Sequence, residues 1–162
     1  MRRSFLCLVG LCGALAATSD AVPVQFTLTD QNARTHVVKY PRAKVSVLVV
    51  ADQQGSTQIE SWIAPIQARF GEQVEIAGIA DLPGIPPMFH DLFRREFKKR
   101  VTYPVMLDWS GDVARSFGYN KKGAQLFVIG TDGRIALSKT GAATPQALAE
   151  VYRAIEQLQR KR

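Results

Sequence analysis

Apolar and polar positions alternate along VQFTLTD, Val24 to Asp30, with the period of a half-buried strand. Gln31 to Arg34 reads as a turn, and His36 to Tyr40 (HVVKY) returns as a hairpin partner. Lys44 to Val50 (KVSVLVV) is a β-branched run suited to a buried central strand. The period then changes. From about Thr57, residues Ile59, Trp62, Ile63, Ile66 and Phe70 fall on one face of a helix, and Pro65 inside it predicts a kink. Gln73 to Ala80 (QVEIAGIA) is the next strand, and Asp81 to Pro87 (DLPGIPP) breaks the chain. Phe89, Phe93 and Phe97 recur every four residues, which predicts a helix from about Met88 to Arg100 with its apolar stripe facing the core.

Tyr103 to Leu107 reads as a strand, followed by a short helix around Asp112 to Phe117. Leu126 to Ile129 and Arg134 to Ser138 flank Thr131-Asp132-Gly133, a hairpin turn. Thr144 is placed to cap a last helix with Pro145 at its first position and Leu148, Val151, Tyr152, Ile155 and Leu158 on its buried face. Strands alternating with helices, closed by a hairpin and a helix, predict an α/β fold: a mixed central sheet flanked by helices, with an N-terminal β-hairpin.

The first residues follow a different pattern. Arg2-Arg3-Ser4 is a basic start, Phe5 to Ala17 is apolar, and small residues follow up to Ala21. That is the layout of a secretory signal peptide, residues 1–21, leaving a single domain of residues 22–162. The apolar run falls short of the ~20 residues a stable transmembrane anchor needs. RRSFL also resembles a twin-arginine export signal, and Leu11 before Cys12 argues against a lipoprotein signal. The expected location is outside the cytoplasm: periplasmic in a Gram-negative source, secreted otherwise.

Composition adds one decisive constraint. Cys7 and Cys12 are the only cysteines, and both lie in the expected signal. The processed chain therefore has no disulfide, no thiolate nucleophile and no thiolate metal ligand. Loss of residues 1–21 leaves 19 basic and 13 acidic residues, net +6. Much of that charge falls in HDLFRREFKKR, where Arg94, Arg95, Lys98, Lys99 and Arg100 are expected opposite the apolar stripe. Such a surface suits an anionic partner or surface, whereas nucleic acid fits an exported chain poorly and no stacking motif accompanies the charges. His36 and His90 sit on different expected elements with no neighbouring ligands, so no metal or cofactor is implied.

Three stretches together carry a family resemblance. FTLTDQNARTHVVKYPRAKVSVLVVAD, YPVMLDWSGDVARSFGY and LFVIGTDGRIALSKTG resemble, in order and spacing, the redoxin (peroxiredoxin and thioredoxin-like) branch of the thioredoxin superfamily. The resemblance spans about Val24 to Leu158. In that family the active-site helix carries Cys-x-x-Cys, with a proline five residues after the second cysteine. WIAPI, Trp62 to Ile66, is similar to that segment, and counting back from Pro65 puts Thr57 and Glu60 in the cysteine positions. The family's cis-proline falls on Ala124. Both hallmarks are replaced.

Thiol–disulfide exchange needs a thiolate near a helix N-terminus, which a threonine hydroxyl and a carboxylate cannot supply. Thr57 or Ser56 is expected to cap the helix, Glu60 completing a capping box with Thr57. Asp52, at the end of the central strand, either serves function or caps a turn, while Asp108, Asp112 and Asp132 are turn residues. The resemblance implies that Asp52, Gly55, Ser56, Thr57, Glu60 and Ala124 surround a face where thioredoxin-type proteins hold extended peptides. The expected role is a binding or scaffold module with a protein or peptide partner and no dithiol chemistry. The competing expectation is a redoxin-type oxidoreductase or peroxidase using a partner's thiols or a cofactor.

Overall fold

The computed structural model describes residues 25–101 and 103–160. The expected signal peptide and both cysteines lie outside the described residues. Seven strands form one mixed sheet: β1 (Gln25–Asp30), β2 (Thr35–Lys39), β3 (Val45–Ala51), β4 (Val74–Asp81), β5 (Val105–Asp108), β6 (Gln125–Ile129) and β7 (Ile135–Thr140). Their order is β2-β1-β5-β4-β3-β6-β7, with β3, β4 and β5 parallel and the remaining neighbours antiparallel. Among the described residues four α-helices accompany it: α1 (Ile59–Phe70), α2 (His90–Arg100), α3 (Asp112–Ser116) and α4 (Pro145–Arg160). The β1–β2 hairpin is the expected one, in register Thr27↔Val37.

Every residue of β3 is buried, as its unbroken β-branched run requires of a central strand. On one sheet face, Val45, Val47 and Val49 of β3 and Leu126 and Val128 of β6 pack against Trp62, Ile66 and Phe70 of α1 and Val151 and Ile155 of α4. On the opposite face Phe26, Leu48, Val50, Ile79, Met106 and Phe127 meet Ala114 and Phe117 at α3. Helix α1 runs unbroken through Pro65, which lacks only the N–H that would bond the Ser61 carbonyl. Thr144 caps α4 as expected, its Oγ1 accepting from the Ala147 N–H at 3.1 Å.

Asp108 and Asp132 take the expected turn roles, whereas Asp112 is the first residue of α3. Asp108, 1% exposed, accepts from the N–H groups of Gly111 and Ala114, both at 2.9 Å, and so starts α3. Asp132 accepts from Arg134 N–H, and Asp112 pairs with Arg115. His36 lies on the edge strand β2 against Asp30 at 2.9 Å. His90 stacks on Trp109 with ring centroids 3.8 Å apart. A residue the periodicity passed over, Gln31, extends the sheet with its side chain: its Oε1 accepts from Val105 N–H and its Nε2 donates to the Tyr103 carbonyl.

One expectation fails. The apolar stripe of α2 does not face the core, and none of its residues is buried. Only Phe97 joins a core cluster, the small one of Ala80, Leu82, Val105 and Leu107. The cause lies in the sheet beneath. β4 offers Gly78 and Ala80 to this face, too small to draw α2 down into the α1–α4 core. The helix is held instead by His90 and Arg94, whose guanidinium lies 5.7 Å from the Trp109 ring centroid.

Candidate functional site

Between the α1–α4 core and the α2 cluster a cleft of about 530 Å³ opens on the helical face of the sheet. Ile59 and Thr57 line one side; Leu92, Phe93, Phe97 and Arg100 of α2 line the other. Ala80 and Val105 form the floor, with Asp52, Gln53 and Ser56 at one end and Tyr103 near the other. The surface is mainly apolar, with Asp52, Glu96 and Arg100 the charged side chains on its walls. Asp52, Ser56 and Thr57 had been marked from the sequence as binding residues, whereas Phe89, Phe93 and Phe97 had been expected in the core. Two of them, Phe93 and Phe97, are cleft walls.

The segment from Asp52 to Glu60 reaches this cleft by a short 3-10 turn, Gly55–Gln58, that winds directly into α1. The expected capping box is absent. Asp52 takes the cap: its Oδ1 accepts from Gly55 N–H at 2.9 Å. Gln58, immediately before α1, already has helical torsions (φ −94°, ψ −15°), so no extended residue is left to cap α1. Ser56 donates instead to the Gln53 carbonyl, and Thr57 and Glu60 are exposed. Thr57 and Glu60 thus stand one helical turn apart at the solvent side of the α1 start, where the sequence placed the lost dithiol.

Ala124 does lie against this segment, through Gly55, which the sequence marked, and through Gln58, which it did not. Gln58 Oε1 accepts from Ala124 N–H at 2.9 Å, and Gly55 is buried directly beneath it. A Cβ added at Gly55 would come within 2.5 Å of the Ala124 nitrogen, so only glycine allows this approach. Ala124 carbonyl accepts from Gly141 N–H, and the Trp62 indole donates to Gly141 carbonyl, both at 2.7 Å. Ser61 Oγ accepts from Ala143 N–H at 3.0 Å. These bonds make one rigid wall of α1, the Ala124 strand end and the loop before α4.

Tyr119 ties the same region to β3. Its hydroxyl accepts from Asp52 N–H at 3.0 Å and donates to the Gly123 carbonyl at 3.1 Å. Burial, reinforced by the charges of Asp52 and Asp81, pushes this phenol up to about 12, so it stays a neutral donor at every physiological pH. Burial likewise raises Tyr103, aided by the charge of Glu60.

At the carboxyl ends of β3, β4 and β5 stand Asp52, Asp81 and Asp108. Among the described residues no three such groups come together in a way that could hold a metal ion. Asp81 is the unusual member. Its side chain is 1% exposed, Lys121 Nζ stands 3.4 Å away, and neither oxygen accepts a hydrogen bond. Burial raises its pKa, Lys121 partly offsets this, and Asp108 and Asp52 push it further up. A carboxylate raised in the folded state favours folding when protonated, and that contribution is lost as pH rises through its folded pKa. Asp81→Asn is therefore expected to stabilise the fold at neutral pH by about 1 kcal/mol, read as a higher urea midpoint, with the gain vanishing below the ordinary aspartate range. A variant less stable than the parent at neutral pH would show that the Lys121 pair outweighs burial.

The basic residues of α2 divide. Arg94 pairs with Asp91 at 3.0 Å and Lys99 with Glu96 at 2.7 Å. Arg100 turns to the cleft, while Arg95 and Lys98 are exposed.

No protein-family model matches the sequence, and no curated protein matches it. Solved structures do. A protein described as a thiol:disulfide interchange protein DsbE, from Chlorobium tepidum, superposes with a TM-score of 0.66 at 17% identity, covering 86% of this chain and 96% of that one. The exposed lipoprotein thioredoxin Etrx1 of Streptococcus pneumoniae gives 0.63 at 17%, covering 80% and 98%. The peroxidoxin BcpB of Mycobacterium tuberculosis gives 0.59 at 23%, covering 90% and 97%. At these identities the likeness establishes the fold alone: the chain has a thioredoxin-like architecture. Among the described residues no helix is long and apolar enough to cross a membrane.

Proposed function

We propose that residues 1–21 direct export and are removed, and that the domain from Val22 binds a protein or peptide partner in the α1–α2 cleft without dithiol chemistry. The observation that carries this reading is the pairing of an open apolar cleft with a thiol-free helix start, Thr57 to Glu60, at its edge. Chemistry by sulfur requires a thiolate, and no residue beyond Cys12 can form one. The cleft walls offer Phe93, Phe97, Ile59 and Tyr103, which suits an extended segment bearing apolar side chains. Ala124 serves this site as packing. Its N–H and carbonyl are already bonded to Gln58 and Gly141, so the partner gains affinity from side-chain burial and not from pairing with that strand end.

The test has two arms on the chain beginning at Val22. Insulin-disulfide reduction and hydroperoxide consumption, with a dithiol electron donor, are expected to match the buffer blank. Turnover that survives repurification would overturn the reading. In the binding arm, a dye-labelled, S-alkylated insulin B chain serves as an extended apolar probe in fluorescence anisotropy. Phe93→Ser is expected to weaken its binding about tenfold, the scale of burying one phenylalanine. Unchanged affinity would place binding elsewhere.

A further inference from the structure

We propose that the tip of α2 and the turn before it dock on an anionic phospholipid bilayer. Met88 and Phe89 enter the interface, and Arg95 and Lys98 lie on the headgroups. This surface is distinct in its outward side chains from the cleft, and the proposal does not depend on what the cleft binds.

Five large hydrophobic residues are exposed among the described ones, and four of them fall within six positions: Met88 at 81%, Phe89 at 46%, Leu92 at 48% and Phe93 at 37%. Scattered apolar residues on a surface need no explanation, but such a concentration does. The preceding segment, Pro83 to Pro87, carries no charge, so the run from Pro83 to Phe89 is uncharged. Met88 and Phe89 belong to no core cluster and do not line the cleft, and α2 attaches to the body through His90, Phe93, Arg94 and Phe97.

The charges are arranged to match. Helix α2 has five basic and two acidic residues. Asp91 and Glu96 are engaged by Arg94 and Lys99, which leaves Arg95, Lys98 and Arg100 with no ion pair among the described residues. An uncharged apolar tip followed by exposed cations is the order of groups met on passing from acyl chains to anionic headgroups. An acidic protein would satisfy the cations but would need a pocket for a tip whose most exposed residue, Met88, stands clear of the body.

Vesicle co-sedimentation of the full chain tests this, with phosphatidylcholine alone and mixed with phosphatidylglycerol. The parent chain is expected to bind the anionic vesicles and to be released by high salt. Arg95→Gln with Lys98→Gln is expected to lower partition about 25-fold, at about fivefold per cation. Met88→Ser with Phe89→Ser is expected to lower it about tenfold or more. Circular dichroism of both variants should match the parent, and Trp109 emission should shift with vesicles in the parent alone. All of these chains keep residues 1–24, so binding through that segment would appear as partition indifferent to both variants, and that result overturns the proposal. Equal binding to neutral vesicles overturns it as well. So does capture of soluble polyglutamate that survives Met88→Ser with Phe89→Ser, in the absence of lipid binding, because it identifies an acidic polypeptide as the partner.

Discussion

Replacing Trp62 by alanine is expected to cost about 4 kcal/mol and to move the urea midpoint further than any other single truncation in α1. The indole is fully buried, at the meeting of α1, α4 and the central strands. Its removal leaves a cavity that rigid neighbours on β3 and β6 cannot fill. It also strands the Gly141 carbonyl, which the indole N–H otherwise satisfies at 2.7 Å. The two losses can be separated. Trp62→Phe keeps most of the packing and gives up the hydrogen bond, at about 1–2 kcal/mol. If the alanine variant proved no worse than the phenylalanine one, the cavity account would be wrong.

Gly55→Ala is the second large effect, and a smaller change in volume produces it. The new methyl would stand 2.5 Å from the Ala124 nitrogen and 2.7 Å from the Gly123 carbonyl carbon, both backbone atoms that cannot rotate away. Overpacking of this kind costs about 1–3 kcal/mol, and here the strand end must shift as well. That shift opens the Gln58 contact to Ala124 N–H, 2.9 Å in the parent, so the two halves of the rigid cleft wall separate. Denaturation should show the loss, and amide exchange at Ala124 should quicken beyond what global destabilisation predicts. Unchanged protection at Ala124 would mean that the strain is absorbed at the Asp52 end of the turn.

The sequence was most informative where one element's own residues decide the outcome. The β-branched run of β3, the Trp62-Ile66-Phe70 stripe and Thr144 ahead of Pro145 each specify their surroundings locally, and each stands as expected. The Phe89-Phe93-Phe97 stripe does not, because periodicity tells which side of a helix is apolar and not what lies across from it. The answer depended on Gly78 and Ala80, residues in another strand with no pattern of their own. The same limit applied at the candidate site. Thr57, Glu60, Gly55 and Ala124 could be placed at one face from the sequence, but the side-chain contacts that bind the region together come from Gln58 and Tyr119. A glutamine side chain bonding across 66 residues of sequence leaves no local trace.

The two walls of the cleft differ in how they are anchored. The α1 side is cross-braced to the strand end at Ala124 and to the loop before α4, whereas α2 buries no side chain and rests on Trp109 and one small cluster. Free energies of local opening follow such differences in anchoring. Amide exchange is therefore expected to be faster along α2 than along α1. The cleft thus has one braced wall and one lightly held wall.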